Sequence, residues 1–186
     1  MKFLSVFSII MFLCTFSFAA EKVKINKVID GDTIKIERSG KKETVRLIGV
    51  DTPESKRNKK AKKDAKRAKK DIDTITKLGK ESTKHTKKLL KNNKEVYIET
   101  DVQKKDKYGR TLGYVYLDSK KKRMLNEEII KDGYGTVMTI PPNVKYEKKL
   151  REAQKKSIKR KKGLWNDSKK KAKSVDKSQE KTDNKN

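Results

Sequence analysis

Beyond its first 20 residues the chain has no Cys and no Phe. The missing Cys excludes a disulfide framework, a thiolate zinc site and a Cys nucleophile. The missing Phe, with only roughly a quarter of those later residues apolar, excludes a large aromatic core. There are three Pro and one His in the whole chain. A single His, with no Cys near it, offers neither a metal pair nor a nucleophilic triad. His85 lies in a Lys-rich helical stretch and is expected at the surface. No second long apolar run follows the N-terminus, which excludes a multi-span membrane protein.

What is present in excess is positive charge. Among 186 residues, 52 are Lys or Arg and 25 are Asp or Glu. That balance attracts acidic polymers, whether DNA, RNA, anionic lipid or cell-wall polymer. The first 20 residues differ from all of this. Lys2, an apolar run from Phe3 to Phe18 and the pair Ala19-Ala20 form the three parts of a secretory signal. Cleavage is expected after Ala19 or Ala20; an uncleaved membrane anchor is the alternative. Leu13 stands before Cys14 where a lipoprotein needs a small residue. The expected address is therefore outside the cytoplasm: extracellular, cell-surface or periplasmic.

The segment from 21 to 165 reads as one domain of α+β class, mainly β. Apolar alternation through Val23, Ile25, Ile34 and Ile36, around Asp30-Gly31, predicts two strands and a tight turn. Further strands are expected at about 43–50, 96–98 and 112–117. Five short, apolar-poor strands bury best as a small closed barrel, which also removes exposed edges. The strands are expected to be antiparallel. About three helices are expected: residues 80–92, the stretch from Met124 to a stop at Gly133, and residues 145–162. Residues 55–70 carry a dense basic run broken by one acid, Asp64, within a basic insertion at about 55–79. They read as a solvated loop or a frayed helix. The Lys-rich tail 166–186 is too polar to build a core and is expected to be disordered.

Chemistry concentrates in three short segments. Arg46 interrupts an apolar strand, a costly position unless an anion is close. Asp51-Thr52-Pro53-Glu54 follows at once. Taken alone, it also reads as a helix-capping box. Asp30-Gly31-Asp32-Thr33 alone also reads as a plain hairpin turn. Brought together by a sheet, Asp32, Asp51 and Glu54 would form a set of hard oxygen donors. Such a set repels itself without a cation and suits Ca2+ or Mg2+ rather than zinc. Asp106-Lys107-Tyr108-Gly109-Arg110 could bring a second guanidinium. Two Arg, a divalent cation and a carboxylate suffice for hydrolysis of a phosphodiester.

These segments, Val28–Thr33, Arg46–Glu54 and Asp106–Arg110, resemble the three signature segments of the staphylococcal nuclease family. Asn126-Glu127 through Gly133 and the closing Gly163-Leu164-Trp165 also resemble it. The resemblance implies a five-stranded OB-type barrel with helices. It further implies a secreted, Ca2+-dependent nuclease acting on DNA and RNA. By the same resemblance, Asp32, Asp51 and the Thr52 carbonyl hold Ca2+, and Glu54 is the proposed general base acting through a water. Arg46 and Arg110 grip the scissile phosphate, while Lys107 and Tyr108 touch a neighbouring terminal phosphate.

Three departures from the family pattern stand out. The loop 137–142 lacks the Tyr pair on which bases stack, with Tyr146 a possible substitute. The loop after Glu54 is longer and more basic. Gly49 replaces a bulky apolar residue, which would loosen the strand that presents Asp51. Tyr114 and Tyr116 are expected to pack in the barrel wall, and Trp165 to anchor the last helix onto the barrel. A monomer is expected. A noncatalytic nucleic-acid-binding module on the same barrel is the principal alternative, and a cationic membrane- or wall-binding protein the lesser one.

Overall fold

The computed structural model describes residues 20–166. The expected signal segment and basic tail lie outside the described residues. Five strands close into a barrel in the order β1 (Glu21–Asp30), β2 (Thr33–Arg38), β3 (Lys41–Leu47), β6 (Thr111–Tyr116) and β5 (Glu95–Glu99). The β1–β2 hairpin pairs Asp30 with Thr33 across the two-residue turn Gly31-Asp32. Inward alternation buries Val23, Ile34, Ile36, Val45, Leu47, Val96 and Ile98. Each such side chain contributes about 1.5–3 kcal/mol by leaving water. Tyr114 and Tyr116 are buried in the wall, as expected. The Tyr114 ring meets Tyr146 edge-on, with centroids 4.6 Å apart.

The barrel does not close by antiparallel pairing throughout. β3 and β6 are parallel, with Arg46 opposite Leu112. Parallel closure needs a long crossover, and the helices and β5 supply it. A second, two-stranded sheet joins β4 (Gly49–Asp51) to β7 (Thr136–Met138). Gly49, the first residue of β4, has φ +75°, and a Cβ there would collide with Leu150. Glycine therefore makes the kink possible and lets the last helix come close.

Among the described residues four α-helices form, where about three were expected. α1 (Lys59–Ala68) forms in the basic segment read as a solvated loop or frayed helix, and α2 (Ile72–Leu90) extends the helix expected at 80–92 towards the N-terminus. Asn58 caps α1 by accepting from the Ala61 amide, and Asp71 caps α2 by accepting from Thr74. Ala61, Ala65 and Ile75 make a small apolar cluster of their own, with Ile72 against it. α3 (Leu125–Lys131) and α4 (Glu147–Lys159) cover the main core. Asn126 ties α3 to the barrel: its amide donates to the Ile48 carbonyl, and its oxygen accepts from the Val115 amide. Trp165, in the short 3-10 turn Gly163–Trp165, lies against Gly133 at the end of α3.

Candidate active site

The functional segments meet on one side of the barrel because three junctions lie there: the β1–β2 turn, the β3–β4 kink and the loop before β6. They line a cleft of about 560 Å³ that includes Asp32, Arg46, Glu54, Lys60, Asp106 and Arg110. Asp51 and Thr52 lie behind Lys60. Lys107 and Tyr108 stand apart, on the loop outside this cleft. Tyr108 lines a smaller neighbouring cleft with Lys42 and Lys105, and Arg110 is common to both.

Asp32 is buried at the hairpin turn. Its Oδ1 accepts from the Thr33 hydroxyl at 2.9 Å. Its Oδ2 accepts from the Thr52 amide at 2.9 Å and the Thr52 hydroxyl at 3.0 Å. These bonds hold the 30–33 turn against the 51–54 segment, so neither segment is just a turn or a helix cap. No helix begins at Thr52, which sets aside the capping-box reading.

Arg46 has found its anions. Nη1 lies 3.1 Å from Asp32 Oδ2, and Nη2 lies 3.4 Å from Asp51 Oδ1. Nη1 also donates to the Val50 carbonyl at 2.7 Å. Arg110 is held differently. Asp106 Oδ2 accepts from its Nε at 2.7 Å, while Asp106 Oδ1 accepts the Tyr108 and Arg110 amides. Burial works against the Asp106 carboxylate, yet Arg110 and the two amides hold its pKa below the ordinary value. The Arg110 fork is thus oriented by one anion that also folds its loop.

Helix α2 supports both acidic segments from behind. Thr83 and Thr86 donate to Asp30 Oδ1 and the Gly31 carbonyl at 3.0 and 2.7 Å. Gly79 lets α2 approach the Glu54 carbonyl so closely that any Cβ would clash. Burial raises the Asp30 carboxyl pKa, and the nearby Asp32 and Glu54 charges add to the effect.

The sequence reading missed Lys60. Its Nζ lies 3.0 Å from Glu54 Oε1 and 3.1 Å from Asp51 Oδ1. It donates to the Thr52 carbonyl at 3.1 Å and lies 3.4 Å from Asp64 Oδ2. Burial alone would lower its pKa, but the Asp51 and Glu54 charges outweigh that and raise it. In the run of lysines nothing marked this one. The single acid Asp64, four residues on, was the available signal. Glu54 Oε2 accepts from the Asn58 amide at 2.7 Å.

Among the described residues, no three His, Cys, Asp or Glu side chains group closely enough to form a ready metal cage. What gathers Asp51, the Thr52 carbonyl and Glu54 is a cation, the Lys60 ammonium. All are hard oxygens, the donor chemistry that suits Ca2+ or Mg2+. The Asp32 oxygens face Thr33, Thr52 and Arg46.

Two other expectations change. His85 is mostly buried, stacked on Tyr134 at 4.1 Å with Nε2 3.1 Å from Asp132 Oδ2. Tyr146 is no base platform: its hydroxyl donates to Glu99 and its ring packs on Tyr114. On loop 137–142 the cleft wall is instead aliphatic, formed by Met138 and Ile140, with Ile29 on the β1 end.

Comparison with known proteins agrees with this geometry. Residues 44–167 match the family described as Staphylococcal nuclease homologue. The chain is 40% identical over 142 residues to a thermonuclease of Staphylococcus hyicus, covering 76% of this chain and 74% of that one. It is 39% identical over 145 residues to a thermonuclease of Staphylococcus intermedius, covering 78% and 76%. It is 34% identical over 148 residues to endonuclease YncB of Bacillus subtilis, covering 78% and 62%. With residues 44–167, two thirds of its length, matched to the family and thermonucleases 40% and 39% identical over 76% and 78% of it, the chain belongs to the staphylococcal nuclease family.

Proposed function

We propose that this member of a nuclease family is an exported hydrolase that cleaves phosphodiester bonds of DNA and RNA with Ca2+ as its cation. The observation that carries the reading is one cleft lined by Arg46, Arg110 and Glu54, with hard oxygens gathered about a positive charge at its edge. Asp32, Asp51 and the Thr52 carbonyl would hold the cation. Bound there, it would offset phosphate charge and make a water more acidic.

The protein's own groups do the rest. Glu54 takes the proton from the attacking water. Each of its oxygens already accepts one hydrogen bond, from Lys60 or Asn58, and each keeps a lone pair for that proton. The Arg46 and Arg110 forks stabilise the charge that gathers on the phosphate oxygens as water attacks. Neither Arg can be the base, since guanidinium does not release its proton near neutrality. Lys107 and Tyr108, beside the second cleft, meet a neighbouring terminal phosphate. Met138 and Ile140 give bases an apolar wall in place of an aromatic stack. The outward face of α1, with Lys59, Lys62, Lys63 and Lys66, continues the positive surface at the cleft rim and binds further phosphates by counterion release.

The test is digestion of single-stranded DNA and RNA with Ca2+, with Mg2+ and with chelator, comparing the wild type with Glu54→Gln. Cleavage only with Ca2+, lost in the variant, is the expected result. Tight binding without cleavage under every condition would replace the enzyme with a capture module.

A further inference from the structure

Lys60 reaches from the inserted helix α1 to three residues of the acidic segment 51–54. Its ammonium has three protons and four oxygen neighbours, at 3.0, 3.1, 3.1 and 3.4 Å. One of them is the Thr52 backbone carbonyl and three are carboxylates. A surface lysine pairs with one acid; this one sits as an ion sits among its donors. Its side chain is 37% exposed, so a path to solvent is open behind it.

We propose that Lys60 is a tethered competitor of the divalent cation: the ammonium neutralises the acidic segment until the cation takes the same oxygens and drives Lys60 out. The proposal rests on the cation reading given above. Asp51 and the Thr52 carbonyl are claimed by both charges. An ammonium and a divalent cation drawn to those same oxygens would lie side by side, and their repulsion forbids joint occupancy. One must leave, and only Lys60 has somewhere to go. Its long stem can swing outward, and its helix is lightly seated. α1 packs through the small Ala61, Ala65 and Ile75 cluster, which is separate from the barrel core. At its N-terminus it is tied to the acidic segment by Asn58 and Lys60 themselves.

Competition has a required signature. Whatever stabilises the cation-free form lowers apparent cation affinity by the same factor. Removing the ammonium must therefore tighten cation binding while destabilising the cation-free protein, whose acids then repel one another. A lysine with a merely structural role would lose stability without gaining affinity.

The experiment is calorimetric titration of the purified protein with CaCl2. Wild type, Lys60→Gln, Lys60→Arg and Lys63→Gln would be compared, Lys63 being an exposed neighbour on α1. The expected result is at least tenfold tighter Ca2+ binding for Lys60→Gln, with Lys60→Arg and Lys63→Gln within about twofold of wild type. Equal affinity in wild type and Lys60→Gln would overturn the proposal. No Ca2+ binding by any of them at millimolar concentration would overturn the underlying cation reading as well. Amine labelling with mass-spectrometric readout needs no variant. Wild-type Lys60 should be protected without Ca2+ and become severalfold more reactive with it, while Lys59 and Lys62 stay unchanged. Lys60 reactivity indifferent to Ca2+ would equally refute the competition.

Discussion

Two charged clusters in this protein are inversions of each other. At the cleft, one cation, Lys60, sits among Asp51, Glu54 and Asp64. In the barrel core, one anion, Glu99, sits among Lys121, Lys145, Tyr116 and Tyr146. Glu99 is only 1% exposed, and its carboxylate accepts from both tyrosine hydroxyls and both ammoniums. Burial works against its charge, yet those donors hold its pKa below the ordinary value. The Glu99 cluster joins β5, β6 and the start of α4, elements of the core. The Lys60 cluster joins a loop to an inserted helix. Buried, satisfied charge fastens the fold. Half-exposed charge with surplus acceptors is available for exchange.

The sharpest break in the comparison is a pair of matched substitutions. Glu54→Gln should lower turnover by about 10²–10⁴-fold, the range of general acid–base catalysis, while the melting temperature hardly moves. Glu99→Gln should do the reverse. It should cost about 2–4 kcal/mol of stability, measured by urea unfolding, and leave turnover per folded molecule intact. Loss of turnover in a folded Glu99→Gln would erase the division of labour.

Acid sharpens the same contrast. Because the folded Glu99 carboxyl titrates below its ordinary value of 4.5, its contribution is fully present above that value. It is lost as pH falls through the depressed folded value. The stability gap between wild type and Glu99→Gln should therefore narrow below about pH 4.5. A constant gap down to pH 3 would assign the loss to packing instead of charge.

On the cleft side, replacing Lys62, Lys63 and Lys66 together with Gln should flatten the salt dependence of polynucleotide binding. The slope should fall by up to about 2, at roughly 0.7 per phosphate contact on single strands. An unchanged slope would mean that α1 does not touch substrate. The smallest effect concerns His85. Burial holds its imidazole below the ordinary 6.5, outweighing Asp132. Wild-type stability should then be complete above pH 6.5 and decline as pH falls below it, and His85→Gln should remove that decline.

Much of this architecture was legible in the residues. Period-two alternation marked the barrel strands, and Asp30-Gly31 marked the hairpin, because both are local rules. The acids and arginines of the cleft were legible as types at a spacing. What escaped was set by distant partners. α1 has few large apolar residues, and its buried stripe is just Ala61 and Ala65, so periodicity counted on bulky side chains saw none. His85 looked solvated among lysines because Tyr134 and Asp132, which enclose it, lie far along the chain. Gly49 looked like a weakness until Leu150 filled the space that its missing side chain leaves. Lys60 was indistinguishable from its neighbours because its distinction is geometric.

The parallel seam between β3 and β6 also governs when this protein can become active. Arg46 lies on one side of that seam, and the Arg110 loop runs into the other. Between them lie α1, α2 and β5, and bringing such remote segments together has an entropic cost that local hairpins do not carry. The β1–β2–β3 meander can assemble early and already bears Asp32 and Arg46, but it lacks the second guanidinium. In a refolding time course, strand signal should therefore appear before phosphodiester cleavage, and cleavage should rise together with closure of the seam. The chain is in this sense its own timer: half-made, it carries one acid and one arginine of the cleft and can cut nothing.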